Sequence, residues 1–366
     1  MSDHDPDPIA RADHLRLSPA LTQRVQGFKE WTYFYVATPE IDLLFTFTFL
    51  DRIDVPHTDA WPAARVVALA RTRDGRWTGG VDEVPPSAVR ARPGRIDLAM
   101  GSSELRFTAG AYAISARLAS CPIEVHLRLR PLGLPAVGTS VRMGIAEPMR
   151  WIVVPHLETH GEIVLDGDRY EVAAAPGYHD HNWGAFSWGG DFSWEWGLIL
   201  TPSGERPWTI IYSRISDRAR QRVLSQAILV WRDDAYCRAF RDEEIKVTES
   251  GLLRGGAKLR VPRVMSLVEP AMTADVPREL VARAESGADR IEIRLTPVDF
   301  AEVAVPSETE ELGTTLLCEA RAQAEVRGTI RGERLALKGP AILELNHSAA
   351  SPRPPSSRRD LLRPVR

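Results

Sequence analysis

The chain has 366 residues, with 46 lysines and arginines against 49 aspartates and glutamates, for a formal net charge of −3 at pH 7. Such a length exceeds what one compact core usually supports, so two domains are expected. The charge balance gives no global pull toward nucleic acid and points to small or neutral partners. Cys121, Cys237 and Cys318 lie far apart with no Cys-x-x-Cys spacing, which argues against a disulfide framework or a thiolate zinc site and for a reducing compartment.

Residues 1–17 are polar and proline-containing, and are expected to form a disordered arm. Their beginning, MSDHDPDPIARADH, has no apolar stretch of a secretory signal. No later run reaches the roughly 20 apolar residues of a membrane helix. The expectation is a soluble, cytoplasmic protein with room for transient contact at a membrane surface. Order is expected from Ser18-Pro19, a helix start for LTQRVQGF in which serine caps, proline sits in the first turn and Gly27 is the stop.

Strand signals follow. Leu43, Phe45, Phe47 and Phe49 alternate with Leu44, Thr46, Thr48 and Leu50, a period of two that marks a strand apolar on one face and mixed on the other. IEVHLRLRP alternates Ile123, Val125, Leu127 and Leu129 with charged or imidazole side chains, and RIEIRLTPV repeats the pattern with Ile291, Ile293 and Leu295. Each reads as an antiparallel strand with one wet face. Many short β-like runs lie between them, separated by turn signals such as Arg73-Asp74-Gly75, Asp166-Gly167-Asp168 and Arg331-Gly332-Glu333.

Long helical periodicity is nearly absent, which disfavours parallel α/β folds. The expected class is all-β, built of antiparallel barrels or sandwiches. Turn chemistry at Thr201-Pro202-Ser203-Gly204 suggests a first β domain over 18–200 and a second over 201–347. The two alternating strands hint at duplicated architecture, although no strict sequence repeat is evident. The tail from 348 to 366, rich in Pro, Ser and Arg, is expected to be a disordered basic segment.

Unusual chemistry concentrates in PGYHDHNWGAFSWGGDFSWEWG, from Pro176 to Gly197, which holds four of the ten tryptophans and two of the nine histidines. The mixture is too polar for an ordinary core strand and too aromatic for an ordinary loop. Gly177, Gly184, Gly189 and Gly190 supply turn or close-approach positions around it. On a strand, Tyr178, Asp180 and Asn182 share one face, and His179, His181 and Trp183 the other.

If the first face lines a barrel lumen, the Asp180 carboxyl is desolvated, its pKa rises and it becomes a general acid. The second face then packs its imidazoles and indole against the neighbouring sheet. A structural reading of Asp180, as a satisfied buried carboxylate, stands beside this one. His-x-His could offer two nitrogens to a metal, but a third ligand would be needed, with His156 and His160 unplaced, so no metal is expected. Trp188, Trp194 and Trp196 suit core packing, or a wall for an elongated apolar ligand that steadies a carbocation. Glu30, Trp31, Tyr33 and Phe34 form a second aromatic and acidic cluster. RWIVVPHLETH, with Trp151, is a candidate partner strand. The sequence has no Gly-rich phosphate loop, nucleophile elbow or HExxH motif.

At Gly177-Tyr178-His179-Asp180-His181-Asn182-Trp183-Gly184, Trp194-Glu195-Trp196-Gly197 and Glu30-Trp31 with Tyr33-Phe34, the sequence resembles the carotenoid 1,2-hydratase (hydroxyneurosporene synthase) family and its AttH-like relatives. Gly339 to Asn346 is a weaker echo of the closing strand. The resemblance implies two packed lipocalin-like β-barrels and a small apolar, often isoprenoid or polyene, ligand; no cofactor is expected. It also implies protonation of a terminal double bond by a carboxylic acid and capture of the cation by water. That acid falls on Asp180, with Tyr178 as adjacent donor or polariser and Trp183 as an aromatic neighbour. From the residues themselves, Asn182, Trp183, Trp188, Trp194, Trp196 and Trp31 are expected around the substrate, and His179, His181 and Glu30 are expected to position the strand.

The expected activity is an acid-catalysed hydratase or cyclase. Similar double barrels include pericyclases that fold a polyene for intramolecular Diels–Alder cyclisation, where shape replaces proton transfer. A third expectation, from another class, is a non-catalytic carrier of lipophilic molecules.

Overall fold

A computed structural model describes residues 7–18, 27–50, 63–137, 148–186, 192–201, 207–217, 219–233, 235–260, 275–306 and 314–349. The helix expected after Ser18 and the basic tail from residue 350 lie outside the described residues. So do Trp188, Gly189 and Gly190.

The first sheet comprises β1 (Phe28–Ala37), β2 (Ile41–Leu50), β3 (Ala63–Thr72), β4 (Trp77–Val84), β5 (Val89–Ala91) and β6 (Asp97–Met100). It continues with β7 (Ser103–Thr108), β8 (Ala111–Arg117), β9 (Ile123–Pro131), β10 (Ala136–Val137), β11 (Arg150–Leu165) and β12 (Asp168–Ala185). The second comprises β13 (Phe192–Leu200), β14 (Trp208–Asp217), β15 (Val223–Arg232), β16 (Ala235–Arg241) and β17 (Ile245–Ser250). It is completed by β18 (Ala257–Arg260), β19 (Glu279–Ser286), β20 (Asp289–Pro306), β21 (Thr314–Ile330) and β22 (Glu333–Ala349). Pairing is antiparallel throughout, except that β18 lies parallel to β20. The class is all-β and lipocalin-like, and none of the described helices is long and apolar enough to cross a membrane.

The strand orders are β4-β3-β2-β1-β12-β11-β9-β8-β7-β6-β5 and β16-β15-β14-β13-β22-β21-β20-β19-β17. In each sheet an antiparallel meander joins, through its first strand, the last strand of the same sheet. The two alternating segments, IEVHLRLRP on β9 and RIEIRLTPV on β20, occupy equivalent places beside β11 and β21. Their apolar residues are buried as the period of two requires. The β11–β12 and β21–β22 hairpins turn through Asp166-Gly167 and Arg331-Gly332, all four residues at positive φ, as two-residue hairpin turns demand.

The change from one sheet to the other falls between Ala185 and Phe192, upstream of the expected boundary at 200. Trp194-Glu195-Trp196-Gly197 is therefore the opening strand of the second sheet and does not close the first. Residues 202–204 lie outside the described residues, while Thr201 N donates to the Trp208 carbonyl at 3.2 Å between β13 and β14.

Residues 7–17 also differ from the expected arm. Asp7 caps a short helix, α1 (Pro8–Ala12), accepting from Ile9 N at 2.8 Å. Ile9, Leu15 and Leu17 are buried in the first core. That core takes Phe45, Phe47 and Phe49 from β2 and Phe34 from β1, and a separate core fills the second sheet.

A third apolar layer lies between the sheets, with Tyr33, Tyr35, Leu44, Trp151 and Tyr178 meeting Trp196, Leu198, Ile211, Leu229 and Ile342. Polar clamps flank it. Arg71 donates to both Asp299 oxygens, at 2.7 and 2.6 Å, and Trp77 Nε1 donates to the same carboxylate at 2.7 Å. Arg321 donates to Tyr35 Oη at 2.9 Å and to Asp42 at 3.0 Å.

Candidate functional site

Strand β12 runs between β1 and β11, with Asp180 in register with Tyr33 and Val153, and Asn182 with Trp31 and Trp151. Its flanks are close. A Cβ on Gly184 would come within 2.8 Å of the Met149 backbone, and one on Gly177 within 2.6 Å of Thr159 Oγ1. Gly184→Ala is expected to destabilise the protein by about 1–3 kcal/mol through overpacking against main chain, measurable by chemical denaturation; a loss below a few tenths would show that residues 148–149 yield.

The strand's alternation sorts the side chains as parity requires, but the two faces are exchanged relative to expectation. Tyr178 belongs to the layer between the sheets and Trp183 to the first core. Parity fixes which residues share a face. It cannot say which face is the lumen when both are buried, as they are along 178–183.

On the inter-sheet face, Tyr178 Oη donates to Asp180 Oδ2 at 2.8 Å and Asn182 Nδ2 to Oδ1 at 2.7 Å. Burial pushes the Asp180 carboxyl up to about 6, against the lowering influence of the Tyr178 hydroxyl, His179, Trp151 and Asn182. The Trp151 N–H makes no well-formed hydrogen bond, yet it lies near enough to favour the anion. With that pKa about a tenth of Asp180 is protonated at pH 7, less than the expected neutral acid but enough for an acid that reloads from solvent.

Asp180 and Asn182 open into a pocket with a cavity volume of about 60 Å³, partly open to solvent. The first sheet's side contributes Trp31, Tyr33, Met149 and Trp151 besides these two; the second contributes Trp194, Glu195, Trp196, Ser213, Ile215 and Glu344. Trp31 stacks on Trp194 at 6.4 Å and 11°, and Tyr33 meets Trp196 edge-on at 5.4 Å. Tyr178 lies behind Asp180, 5.3 Å from the Trp196 ring.

The other face of β12 carries an ionic network. His179 places Nδ1 at 2.9 Å from the Tyr33 carbonyl and Nε2 at 2.9 Å from Asp13 Oδ2. His181 places Nδ1 at 2.6 Å from Asp13 Oδ1 and Nε2 at 2.7 Å from Glu30 Oε1. Glu30 also accepts from the backbone of Arg16 at 2.7 Å and Leu17 at 2.6 Å. Tyr112 donates to Asp13 at 2.5 Å. Burial alone would lower the His181 pKa, but its two carboxylate partners raise it to about 9. Trp183, expected beside the substrate, lies under the Arg16 guanidinium, 4.5 Å away, and outside the pocket lining. Glu30 likewise faces away from the pocket.

Five of the residues expected around the chemistry, Asp180, Asn182, Trp31, Trp194 and Trp196, therefore line one pocket, and Tyr178 braces it. Trp188 lies outside the described residues. Sequence reasoning missed Tyr33, Trp151 and Glu344 as pocket residues and Asp13 as the anchor of both histidines. Glu344 had a signal, since Glu344-Leu345-Asn346 repeats the acid-x-Asn spacing of Asp180-His181-Asn182. Among the described residues no group of three or more His, Cys, Asp or Glu is arranged to hold a metal. His160 instead lies at the surface beside Glu158, at 3.3 Å.

No family model matches this sequence, and no curated protein does. Solved structures do share its fold. One described as AttH, from Nitrosomonas europaea, is 15% identical with a TM-score of 0.58 over 87% of this chain and 92% of its own. Kievitone hydratase from Nectria haematococca is 10% identical with a TM-score of 0.58, over 93% and 92%. CghA bound to Sch210972 is 13% identical with a TM-score of 0.51, over 87% and 88%. At such identities the likeness carries the architecture of two packed β units, not the activity.

Proposed function

We propose that the protein is an acid-catalysed hydratase or cyclase acting on an apolar, unsaturated substrate of isoprenoid or polyene type, with Asp180 as the proton donor. The observation that carries this reading is a buried carboxyl, held by Tyr178 and Asn182, with its pKa raised to about 6 inside an aromatic-walled pocket. Proton transfer from Asp180 to the less substituted carbon of a double bond breaks the π bond and leaves a tertiary cation. The aromatic side chains that wall the pocket beside Asp180 suit stabilisation of such a cation. Capture by water gives an alcohol, and capture by an internal nucleophile gives a ring. The fold shared with kievitone hydratase supports the same class of reaction.

The test is incubation of the purified chain with kievitone, a linear carotenoid hydrocarbon and a short isoprenoid alcohol, in ordinary and ¹⁸O-labelled water, followed by mass spectrometry. Gain of one labelled water, or an isobaric product with a new ring, is the expected result. A compound bound stoichiometrically and recovered unchanged would replace this reading with that of a carrier.

A further inference from the structure

The pocket is assembled twice from the same parts. In the first sheet β1 pairs with β12 so that Trp31 faces Asn182 and Tyr33 faces Asp180. In the second, β13 pairs with β22 so that Trp194 faces Asn346 and Trp196 faces Glu344. Each sheet thus brings an aromatic-x-aromatic opening strand against an acid-x-Asn closing strand. The halves meet where Trp31 stacks on Trp194 and Tyr33 meets Trp196 edge-on.

The second half is chemically loaded as well. Glu344 lines the pocket and accepts from Trp194 Nε1. Directly across β21–β22 stands Glu319, 1% exposed, with neither oxygen in a well-formed hydrogen bond. Among the described residues no cation bridges either carboxyl. Two carboxyls in register, one buried and one partly buried at the pocket wall, cannot both ionise cheaply. The proton stays preferentially on Glu319, facing the Glu344 carboxylate, and burial also raises Glu344. The other titratable groups around Glu344 are Asp180, Tyr33, Tyr178 and Cys318.

A further observation points to a ligand here. Tyr33 Oη and Trp196 Nε1 occupy equivalent places in the two halves, line the pocket, are 5% and 8% exposed as residues, and have no hydrogen-bond partner. Donors in that state are satisfied by oxygen atoms that enter the pocket, such as a reacting water and the hydroxyl it becomes.

We infer that the pocket consists of two equivalent half-sites and that Glu344, backed by Glu319, is the proton acceptor opposing Asp180. This rests on the hydration reading above. Asp180 gives its proton to carbon as the π bond breaks, and a water oxygen bonds to the cation. The water's surplus proton passes to the Glu344 carboxylate, then returns through solvent to Asp180. Alkene and water become alcohol, with both carboxyls restored.

One arm of the test needs no substrate. Infrared difference spectra of the full chain between pH 5 and 9 should show buried protonated-carboxyl bands, one lost in Asp180→Asn and a different one in Glu344→Gln. Glu344→Asp should keep the second band at a shifted frequency, which controls for misfolding of the glutamine variant. A Glu344→Gln spectrum identical to that of the parent chain overturns the inference, whatever the fate of the hydratase reading. The second arm uses whichever panel compound is hydrated. In D₂O, Glu344→Gln should still place deuterium on carbon while hydrate formation falls roughly 100-fold. Equal loss of both steps would reduce Glu344 to a structural role.

Discussion

Asp180→Asn is expected to lower turnover of the hydrated substrate by about 100- to 10,000-fold, the usual contribution of a positioned general acid, equivalent to about 3–5 kcal/mol of barrier. The substitution preserves volume. Asp180 accepts from Tyr178 on one oxygen and from Asn182 on the other. An amide keeps one acceptor, and the Tyr178 hydroxyl can rotate to accept from the new NH₂. The fold should therefore survive, which circular dichroism checks. The acid must be protonated, and burial raises the pKa of this group to about 6. Above it the rate should fall roughly tenfold per pH unit, and that limb should vanish in the asparagine variant. A pericyclase that works by shape would lose less than about tenfold in the same variant, because positioning and not proton transfer supplies its rate. Full turnover with an unchanged pH profile would remove Asp180 from the chemistry altogether.

The strands were legible because a period of two is a local property: Phe45, Phe47 and Phe49, and Ile123, Val125, Leu127 and Leu129, each bury one face. The same parity placed Tyr178, Asp180 and Asn182 together. It failed on which face meets the second sheet, because β12 is buried on both sides and periodicity carries no information about what covers each. Asp13 was hidden for a different reason. Its neighbours Asp7, Arg11, His14 and Arg16 give the segment the composition of a solvated arm, and only contacts 99 to 168 residues away, at Tyr112, His179 and His181, make the carboxylate a core group. Glu344 was legible in principle. Its acid-x-Asn spacing matters only once β13–β22 is known to repeat the pairing of β1–β12.

The same distant contacts make Asp13 the residue whose loss should cost the fold most. Its carboxylate is 1% exposed and is reached by two imidazoles and the Tyr112 hydroxyl. Asp13→Ala leaves His181 cationic against Glu30 alone and should destabilise the protein by about 3–5 kcal/mol, the usual penalty for breaking a buried pair from one side. That corresponds to a fall in Tm on the order of 10 °C. The pH dependence has a definite sign. Burial would raise the Asp13 pKa, but the interactions with His179 and His181 outweigh it and hold the carboxyl well below the usual range. Its contribution is present above the unfolded carboxyl pKa and is lost only toward strongly acid pH. His181 runs the other way, its folded pKa of about 9 standing above the ordinary 6.5. Its contribution is complete below pH 6.5 and fades as pH rises through 9, a loss of about 3 kcal/mol. Asp13→Asn should retain much of the packing yet flatten this alkaline decline, since one of the two carboxylates that raise His181 is gone. Urea denaturation at pH 6, 7.5 and 9 separates the cases: a parent-like slope in Asp13→Asn, or a loss below about 1 kcal/mol in Asp13→Ala, would mean that the strap at 7–17 is held by Ile9, Leu15 and Leu17 and not by its ion pairs.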